Sequence, residues 1–495
     1  LFPYTTLFRS RILAVHDTKL AAESGLDLEM DVKYQFDEQY MADPLLKAVK
    51  DGEIEESLVD EKVRNILRMM LRLKMIGPER KHRKTGAYNM EEHRRAVLDV
   101  ARESMILLKN EDQVLPLQAE SGCKVAVIGA NAAAIHSNGG GSAEIKALYE
   151  ISPLMGIKKL LGGNVKVSYA PGYVIPDKKE TSEINWQAAS TETAENTEKE
   201  STVSGRALDE KQQEALAEAV ALAKASDIVI FVGGLNHDFD VEGLDRVNMK
   251  LPYGQDEVID ALLKAVPDTV VCMYAGAPVE MPWAEKAKAI LWSYYAGMEG
   301  GTALAEILSG KVNPSGKLAE TFIRDASQCP AHTIGTFGKK DRVEYREGVM
   351  VGYRYYDTKK TDVLFPFGHG LSYTAFTYND LEIIRQQENG RQTVKVSCSV
   401  TNTGEHAGKE TVQIYVAPEQ KKDRPVHELK AFEKVGLDAG ETKRICVILE
   451  ERDFSHYDTD KKMPVPVNGT YEIQVGASST DICLCGKIDL FFAEG

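Results

Sequence analysis

The sequence predicts a protein of several domains, in which an α/β domain with a mostly parallel sheet precedes an all-β sandwich. Short apolar runs alternate with helical periodicity between residues 124 and 293. After about residue 374, apolar and polar residues alternate with period two instead. The length is the third observation, because 495 residues exceed one core of ordinary size. We therefore expect two or three domains.

The composition narrows the classes of partner. The formal net charge of -15 argues against a nucleic acid or an anionic membrane, because both attract a basic surface. No apolar run approaches the ~20 residues that cross a bilayer. The seven cysteines lie mostly in apolar runs, so we expect small buried side chains. His332, His369 and His406 lie far apart in sequence, and we expect no metal site and no cofactor.

The first helical pattern runs over residues 43–77. Apolar residues recur there at helical spacing, with Asp43-Pro44 as a start signal and Gly77-Pro78 as a stop signal. These signals predict one or two amphipathic helices. The polar, basic stretch 78–88 is typical of a linker, and a further helix is predicted over residues 90–108.

The α/β prediction depends on five short apolar runs, each long enough for a buried strand. Helical patterns over residues 208–225 and 254–266 separate some of these runs, as parallel strands require. The stretch 175–203 is rich in Ser, Thr, Glu and Lys, so we expect a solvated loop there, although it contains Trp186. The predicted strands are 124–129, 165–169, 227–233, 269–274 and 289–293.

The C-terminal part shows strand patterns without helical periodicity. Apolar and polar residues alternate in short runs, which is typical of strands with one buried face. Such runs predict an antiparallel β-sandwich. The predicted strands are 393–400, 410–416, 442–449 and 469–475.

Glu242 is the first candidate for a chemical role. It follows the apolar run 227–233 and therefore lies in a loop after a predicted strand. Asp238, Asp240 and Asp245 lie close in sequence, and such charge crowding helps a carboxyl group to keep its proton near neutral pH. The competing interpretation is an ordinary solvated side chain, one of 75 acidic residues in the chain.

Other residues could support a ligand site. Arg246 can hold Asp245 in a bidentate ion pair that fixes the loop. The glycine-rich run 137–142 lets the backbone approach a ligand, but it lacks the spacing of a phosphate-binding loop. Four aromatic rings could stack on a sugar, but two of them alternate as core residues of a strand do, so packing is the role we expect. These rings belong to Trp283, Trp292, Tyr294 and Tyr295, and the alternating pair is Trp292 and Tyr294.

The run 241–252 has the pattern Glu-Gly-x-Asp-Arg-x4-Leu-Pro, and it resembles glycoside hydrolase family 3, the β-glucosidases and β-xylosidases. The resemblance implies that Glu242 is the proton donor. It also implies that the glycine-rich turn lies near the mouth of the active site, with Ser142 as a substrate-side candidate. Other stretches that resemble the family are 101–110, 115–117, 300–301, 313–318, 321–322, 345–348, 351–357, 365–373, 429–435 and 468–471.

The resemblance also predicts that the partner carboxylate of Glu242 is absent. The family's nucleophile is the Asp of a Ser-Asp-Trp motif shortly before Val-His-Asp-Thr, which stands here as residues 15–18, and ungapped alignment puts Arg11 at that Asp. A retaining mechanism needs two carboxylates about 5 to 5.5 Å apart, so this chain alone should be nearly inert. Asp17 and Asp27 remain nearby, and we expect them to orient loops at the rim of a barrel.

The resemblance divides the chain into the end of a (β/α)8 barrel, an α/β sandwich and a fibronectin type III-like domain. Since the apolar stripe 45–75 would lack its barrel strands, we expect local disorder or association there, and limited proteolysis of residues 11–95 tests this. The expected boundaries are 1–10 for a foreign junction, 11–77 for the barrel remnant, 78–100 for a linker and helix, 101–323 for the α/β sandwich, 324–373 for a connecting segment and 374–495 for the fibronectin type III-like domain.

We expect the parent enzyme to hydrolyse terminal β-linked glucosyl residues of oligosaccharides or β-glucosides by a retaining exo mechanism. A β-xylosidase or related exo-glycosidase is the nearest alternative. A catalytically inactive carbohydrate-binding or assembly module is the alternative from another class, and a nucleotide-binding α/β protein is a third, suggested by the run 124–129. No nucleic acid or membrane partner is expected, while homo-oligomer formation and the compartment stay open.

Overall fold

A computed structural model of the chain describes residues 9–10, 15–30, 36–37, 39–82, 84, 86–140, 145, 147–175, 210–241, 246–338, 342–388, 391–419 and 424–492. The chain divides into two compact units, Leu1–Tyr88 with Asp177–Glu200 and Asn89–Pro176 with Ser201–Gly495. Several predictions concern residues outside the described ones. They are those for Arg11, Ser142, Trp186, Glu242 and Asp245.

The first unit contains two short parallel strands and three helices among its described residues. The helical pattern from residue 43 forms two helices, and the first begins at the predicted Asp43-Pro44 signal. Asp17 caps the helix before them, since its Oδ1 accepts the Leu20 N–H at 2.7 Å. The elements are β1 (Arg9–Ser10), α1 (Thr18–Glu23), β2 (Glu29–Met30), α2 (Asp43–Lys50) and α3 (Glu56–Arg72).

Apolar side chains of the first unit are only partly covered. Small clusters around Ala21 and Leu45 are buried, but Leu46 on α2 is 53% exposed, and Val63 and Leu71 on α3 are 48% and 51% exposed. The apolar stripe that the sequence predicts therefore lies at the surface of these helices. Its association or local disorder stays a prediction, as do the domain boundaries.

The second unit begins with a six-stranded mixed sheet in the order β3-β8-β7-β6-β4-β5. Strands β4 to β8 run parallel, as predicted, and β3 runs antiparallel to β8 at one edge. The strands are β3 (Ile106–Asn110), β4 (Lys124–Ile128), β5 (Lys166–Ala170), β6 (Ile228–Gly234), β7 (Val270–Tyr274) and β8 (Ala289–Trp292).

The predicted helix over residues 90–108 is wrong at its C-terminal end. Helix α4 covers Glu91–Ser104, and the apolar run that follows forms β3 instead. Ile106, Leu107 and Leu108 are at most 1% exposed, because consecutive residues of this strand enter the cores on opposite faces of the sheet. A short apolar run of this kind fits a buried strand as well as a helix, so periodicity alone could not separate them.

Helices cover both faces of this sheet. One core contains Phe231 and Trp283, and the other contains Ile230 and Leu304. The two helices predicted from residues 208–225 and 254–266 are present. The helices after α4 are α5 (Ala130–Ala133), α6 (Pro153–Leu161), α7 (Glu210–Lys224), α8 (Gln255–Ala265) and α9 (Gly300–Leu308), and a 3-10 turn covers Glu111–Gln113.

The chain then passes through a connecting segment into an antiparallel β-sandwich. The connecting segment contains a 3-10 turn (Ala326–Gln328), α10 (Pro330–Thr333) and α11 (Tyr353–Lys359). The two sheets have the orders β13-β10-β9 and β12-β11-β16-β17, with a separate β14-β15 hairpin. The strands are β9 (Phe376–Glu388), β10 (Arg391–Asn402), β11 (Gly408–Pro418), β12 (Glu428–Leu437), β13 (Thr442–Leu449), β14 (Ser455–Asp458), β15 (Met463–Pro466), β16 (Gly469–Gly476) and β17 (Ile482–Leu490), and a 3-10 turn covers Glu451–Phe454.

The four strands predicted by period two are β10, β11, β13 and β16. The expectation of buried cysteines is wrong for three residues of this sandwich: Cys446, Cys483 and Cys485 are exposed, because they lie on outward positions of β13 and β17. Within the part of the chain that the structure describes, no helix is both long and apolar enough to cross a membrane.

Candidate active site

The segment that leads to Glu242 leaves the sheet at the carboxyl end of β6. Gly234 closes this strand with a φ of 127°, and a Cβ there would lie 1.9 Å from the carbonyl oxygen of Tyr274 on the neighbouring strand. The side-chain amide of Gln255 holds Gly234 from both sides, since it accepts the Gly234 N–H and donates to the Gly234 carbonyl, each at 2.8 Å. The exit point of the segment is therefore fixed.

Asp240 joins three strand ends at this edge. Its Oδ2 accepts the Gly276 N–H at 2.6 Å and the Tyr295 O–H at 2.9 Å. Gly276 follows β7 and Tyr295 follows β8, so one carboxylate links the segment after β6 to the segments after both neighbouring strands. The sequence drew attention to Asp240 only as a nearby charge and to Tyr295 only as a ring for stacking.

The glycine-rich loop lies beside the same segment. Gly140 forms a parallel bridge with Val241, and its N–H donates to the Asp240 carbonyl at 3.4 Å. A Cβ on Gly140 would lie 2.7 Å from Cγ2 of Val241, so the close approach requires glycine. His237 contacts the carbonyl oxygen of Asn138 through Nε2 at 2.8 Å. The loop therefore reaches the residue immediately before Glu242, while Ser142 lies outside the described residues.

Gly129, the first glycine after β4, allows the chain to pack closely against the neighbouring strand β6. Gly129 has a φ of 118°, and a Cβ there would lie 2.0 Å from the carbonyl oxygen of Val232. This glycine is required by the neighbouring strand β6. It therefore gives no support to the nucleotide-binding alternative.

Arg246 lies at the other end of the undescribed residues 242–245. Its Nη2 donates to the Pro278 carbonyl at 3.0 Å, and its buried Nη1 has no hydrogen-bond acceptor among the described residues. Burial lowers the pKa of the guanidinium, and the charges of Asp240 and Glu320 oppose that shift. Burial also raises the pKa of Glu320, against the effect of Arg246. The sequence analysis did not identify Glu320, which lies distant in sequence.

Aromatic rings form the surroundings of Asp240. The His136 ring stacks on Tyr295 at 6.4 Å between centroids and lies 5.8 Å from the Tyr274 ring. Burial, together with nearby His237, lowers the pKa of His136 to about 4, so the imidazole is neutral near pH 7. Burial and then the Asp240 charge raise the pKa of Tyr295, which keeps its phenol protonated as a donor.

Core packing explains the rings of Trp283, Trp292 and Tyr294 better than sugar stacking, as the alternation of Trp292 and Tyr294 predicts. Trp283 and Trp292 are 1% and 0% exposed and belong to the core of the sheet. Tyr294 packs against that core, with its ring 5.8 Å from Trp292. Tyr295 is half-buried and bonded to Asp240. Among the described residues, no three His, Cys, Asp or Glu side chains are grouped so that they could hold a metal ion.

The described neighbours of Glu242 thus meet at one edge of the sheet. Val241 is fixed to the glycine-rich loop on one side, and Arg246 is fixed to Pro278 on the other. The carboxyl edge is where open α/β sheets bind their ligands. The described side chains at this edge include the half-buried acidic, basic and phenolic groups of Asp240, Arg246 and Tyr295, which is a setting suited to proton transfer.

The chain belongs to glycoside hydrolase family 3, as the sequence predicts. The Glycosyl hydrolase family 3 C-terminal domain matches residues 105–373, and the Fibronectin type III-like domain matches residues 410–479. These matches confirm the predicted fold class, an α/β domain followed by an all-β domain. The predicted third part, the barrel remnant, stays a prediction.

Three relatives illustrate the similarity. The chain is 38% identical to thermostable beta-glucosidase B of Acetivibrio thermocellus over 472 residues, which are 95% of this chain and 57% of that protein. It is 33% identical to an exo-alpha-(1->6)-L-arabinopyranosidase of Bifidobacterium breve, with coverage of 95% and 57%. The crystal structure of the Bifidobacterium adolescentis GH3 beta-glucosidase superposes with a TM-score of 0.74 at 33% identity, over 96% of this chain and 63% of that one. The chain thus spans about three fifths of these relatives.

Proposed function

We propose that this chain supplies the general acid/base, Glu242, of a retaining β-glucosidase that hydrolyses terminal β-linked glucosyl residues of oligosaccharides or β-glucosides. One observation supports this most: Val241 and Arg246, the residues on either side of positions 242–245, are both anchored at the carboxyl edge of the sheet. The family and the names of the relatives agree with the proposed activity.

The proposed reaction has two steps. In the first, a nucleophilic carboxylate attacks the anomeric carbon while the Glu242 carboxyl donates its proton to the departing glycosidic oxygen. In the second, the Glu242 carboxylate takes a proton from water, and the water oxygen displaces the enzyme carboxylate from the sugar. Asp240 and Arg246 would hold the segment, and Ser142 would face the substrate. Because Arg11 aligns with the family's nucleophile, we propose that no residue of this chain performs the attack.

Glu242→Gln in the full-length natural protein tests the proposal. We expect kcat/KM for phenyl β-glucoside, which has a poor leaving group, to fall by about 100-fold or more, since general acid catalysis contributes about 10²–10⁴. The kcat/KM for 2,4-dinitrophenyl β-glucoside should fall far less, because that leaving group needs no proton. The comparison uses kcat/KM because loss of the base slows the second step, and therefore kcat, for both substrates alike. Glu218→Gln, on the exposed face of α7, is the matched control. Equal loss on both substrates, or none, would refute the role of Glu242.

The missing nucleophile has its own test. The chain of 495 residues, purified alone, should release no measurable phenol from phenyl β-glucoside and no 2,4-dinitrophenol above the uncatalysed rate from the second substrate. A turnover in the range of ordinary glycosidases would show that a nucleophile lies within the chain.

A related exo-glycosidase is the second candidate, because one relative is named an arabinopyranosidase. Comparison of aryl β-glucoside, β-xyloside and α-L-arabinopyranoside with the full-length protein separates these activities by kcat/KM. A kcat/KM highest for the glucoside supports the first proposal.

A further inference from the structure

Asp240 makes more connections than an ordinary loop carboxylate. One oxygen, Oδ2, accepts hydrogen bonds from the segments after β7 and β8, and the Asp240 backbone carbonyl accepts one from the glycine-rich loop. Asp240 therefore ties four parts of the chain together. It does so two residues before Glu242 and one residue before the bridge at Val241.

The partners of Asp240 are shaped for this contact. A Cβ on Gly276 would lie 2.9 Å from Oδ2 of Asp240 and 3.3 Å from the Tyr295 ring, so only glycine brings its N–H to the carboxylate without displacement. Tyr294 has a φ of 47°, which is uncommon for an aromatic residue and marks a strained turn just before Tyr295. The His136 ring then packs on Tyr295. Each of these features orients one donor toward Asp240.

We infer that Asp240 is the positioning residue of the acid/base segment, an inference that rests on the function proposed above. Its carboxylate fixes the chain at the sheet edge two residues before the proposed acid. The two hydrogen bonds to Oδ2 require only an acceptor oxygen at that position, and the negative charge of the carboxylate is not needed for them. Asn supplies such an oxygen, whereas Ala does not.

The activity test compares Asp240→Ala, Asp240→Asn and Tyr295→Phe in the full-length natural protein. With phenyl β-glucoside, we expect Asp240→Ala to lower kcat/KM by about 10-fold or more, because a misplaced acid donates its proton poorly. With 2,4-dinitrophenyl β-glucoside the loss should stay below about 3-fold, and Asp240→Asn should recover most of the activity. Tyr295→Phe removes the hydroxyl that donates to Asp240, and its kcat/KM for phenyl β-glucoside should lie between those of Asp240→Ala and Asp240→Asn.

Asp227→Ala is the matched control. Asp227 lies just before β6, at the opposite edge of the sheet, and its carboxylate also accepts a backbone N–H, that of Lys124 at 2.8 Å. Asp227→Ala should therefore keep the kcat/KM of the unmodified protein on both substrates.

Equal loss of kcat/KM on both substrates in Asp240→Ala, or no recovery in Asp240→Asn, would overturn the positioning role. The same substrates applied to Glu242→Gln report on the proposed function itself, so the two failures are distinguishable.

A second test uses this chain alone and needs no activity. Hydrogen exchange followed by mass spectrometry should show faster exchange in peptides covering residues 136–140 and 237–246 of Asp240→Ala, since local opening accelerates exchange. Asp240→Asn and Asp227→Ala should exchange there as the unmodified chain does. Unchanged exchange in Asp240→Ala would show that the segment is fixed without this carboxylate, and the inference would be wrong.

Discussion

Asp256 is a partly buried carboxyl group in the helix that follows the candidate site. It lies in the first turn of α8 and accepts the Trp283 indole N–H at 2.8 Å. Burial raises the pKa of Asp256 to about 7, and the nearby charges of Glu257 and Glu280 act in the same direction. The raised pKa means that the folded protein favours the protonated carboxyl more strongly than the unfolded chain does.

This shift predicts a pH-dependent stability. The contribution of protonated Asp256 is fully present below the unfolded pKa near 4, and it is lost as the pH rises through the folded pKa of about 7. Asp256→Asn keeps the acceptor for the indole N–H and cannot ionise. We therefore expect thermal midpoints that nearly coincide at pH 4, and at pH 8 a variant that is more stable by roughly a few kcal/mol.

Thermal unfolding at intervals between pH 4 and pH 8 checks this prediction. Asp268→Asn is the control, because the exposed Asp268 carboxylate pairs with Lys288 at 2.8 Å and does not contribute to the pKa shift of Asp256. A constant difference between Asp256→Asn and the unmodified protein over this range would contradict the proposed titration.

At the scale of elements, helices α6 and α9 approach through glycine. A Cβ on Gly156 would lie 1.9 Å from the Gly301 carbonyl oxygen, and a Cβ on Gly301 would lie 2.2 Å from the Ser152 carbonyl oxygen. These neighbours are backbone atoms, which cannot turn away as a flexible side chain can. The two helices must therefore separate if either glycine gains a methyl group.

Gly156→Ala should destabilise the protein, although alanine is the better helix former by about 1 kcal/mol. We expect a net loss of about 1–3 kcal/mol from overpacking, measured as a lower midpoint in denaturant unfolding. Gly163→Ala is the control, because no atom lies within 4 Å of its Cβ position. A Gly156→Ala protein as stable as the control would show that the helices can shift at little cost.

The helices and strands also show which elements the sequence patterns can predict. The parallel strands were predictable because each is a short apolar run, and helical patterns separate some of these runs. Strand β3 was not, since its run of buried residues directly continues the helical pattern of α4. In the sandwich, β9 and β17 include exposed apolar or cysteine side chains, such as Ile384 and Cys483, which obscure the period of two.

The candidate site likewise contains residues that the sequence could indicate and contacts that it could not. A local motif drew attention to Glu242 and Arg246, because both lie within one short run of sequence, and the role of Glu242 stays a prediction. The contacts of Asp240 with Gly276 and Tyr295 join residues from three different strand ends. Parallel topology predicts that such ends meet, but it does not predict which donor reaches which acceptor. That information comes only from the tertiary structure.

At the scale of the second unit, polar contacts join the α/β sheet to the β-sandwich. A cleft of about 390 Å³ between them is lined by charged side chains, several of which pair with other side chains. Glu103 binds Lys409 and Lys434, and Arg102 binds Glu306. These ion pairs connect the two domains, so the charges of the cleft contribute to the contact between the α/β sheet and the sandwich.

The most buried ion pair of this contact links Lys317, which follows the α/β sheet, to Glu410 on β11. Their Nζ and Oε1 atoms lie 3.0 Å apart, and the side chains are 12% and 6% exposed. Lys317 also donates to the Gly370 carbonyl at 2.8 Å. Burial raises the pKa of Glu410, and the Lys317 charge opposes this shift. Removal of the lysine would leave a buried carboxylate without its cation.

Lys317→Met should therefore cost about 3–5 kcal/mol of stability, the usual penalty for one unpaired buried charge. The double variant Lys317→Met with Glu410→Gln should lose clearly less than Lys317→Met alone, because no unpaired charge remains. The single variant should also regain part of its loss as the pH falls and Glu410 becomes protonated. Lys487→Met is the control, since its pair with Glu419 is 64% and 61% exposed and should contribute at most about 1 kcal/mol. If denaturant unfolding gave equal losses for Lys317→Met and Lys487→Met, the two domains would be held together by contacts other than this ion pair.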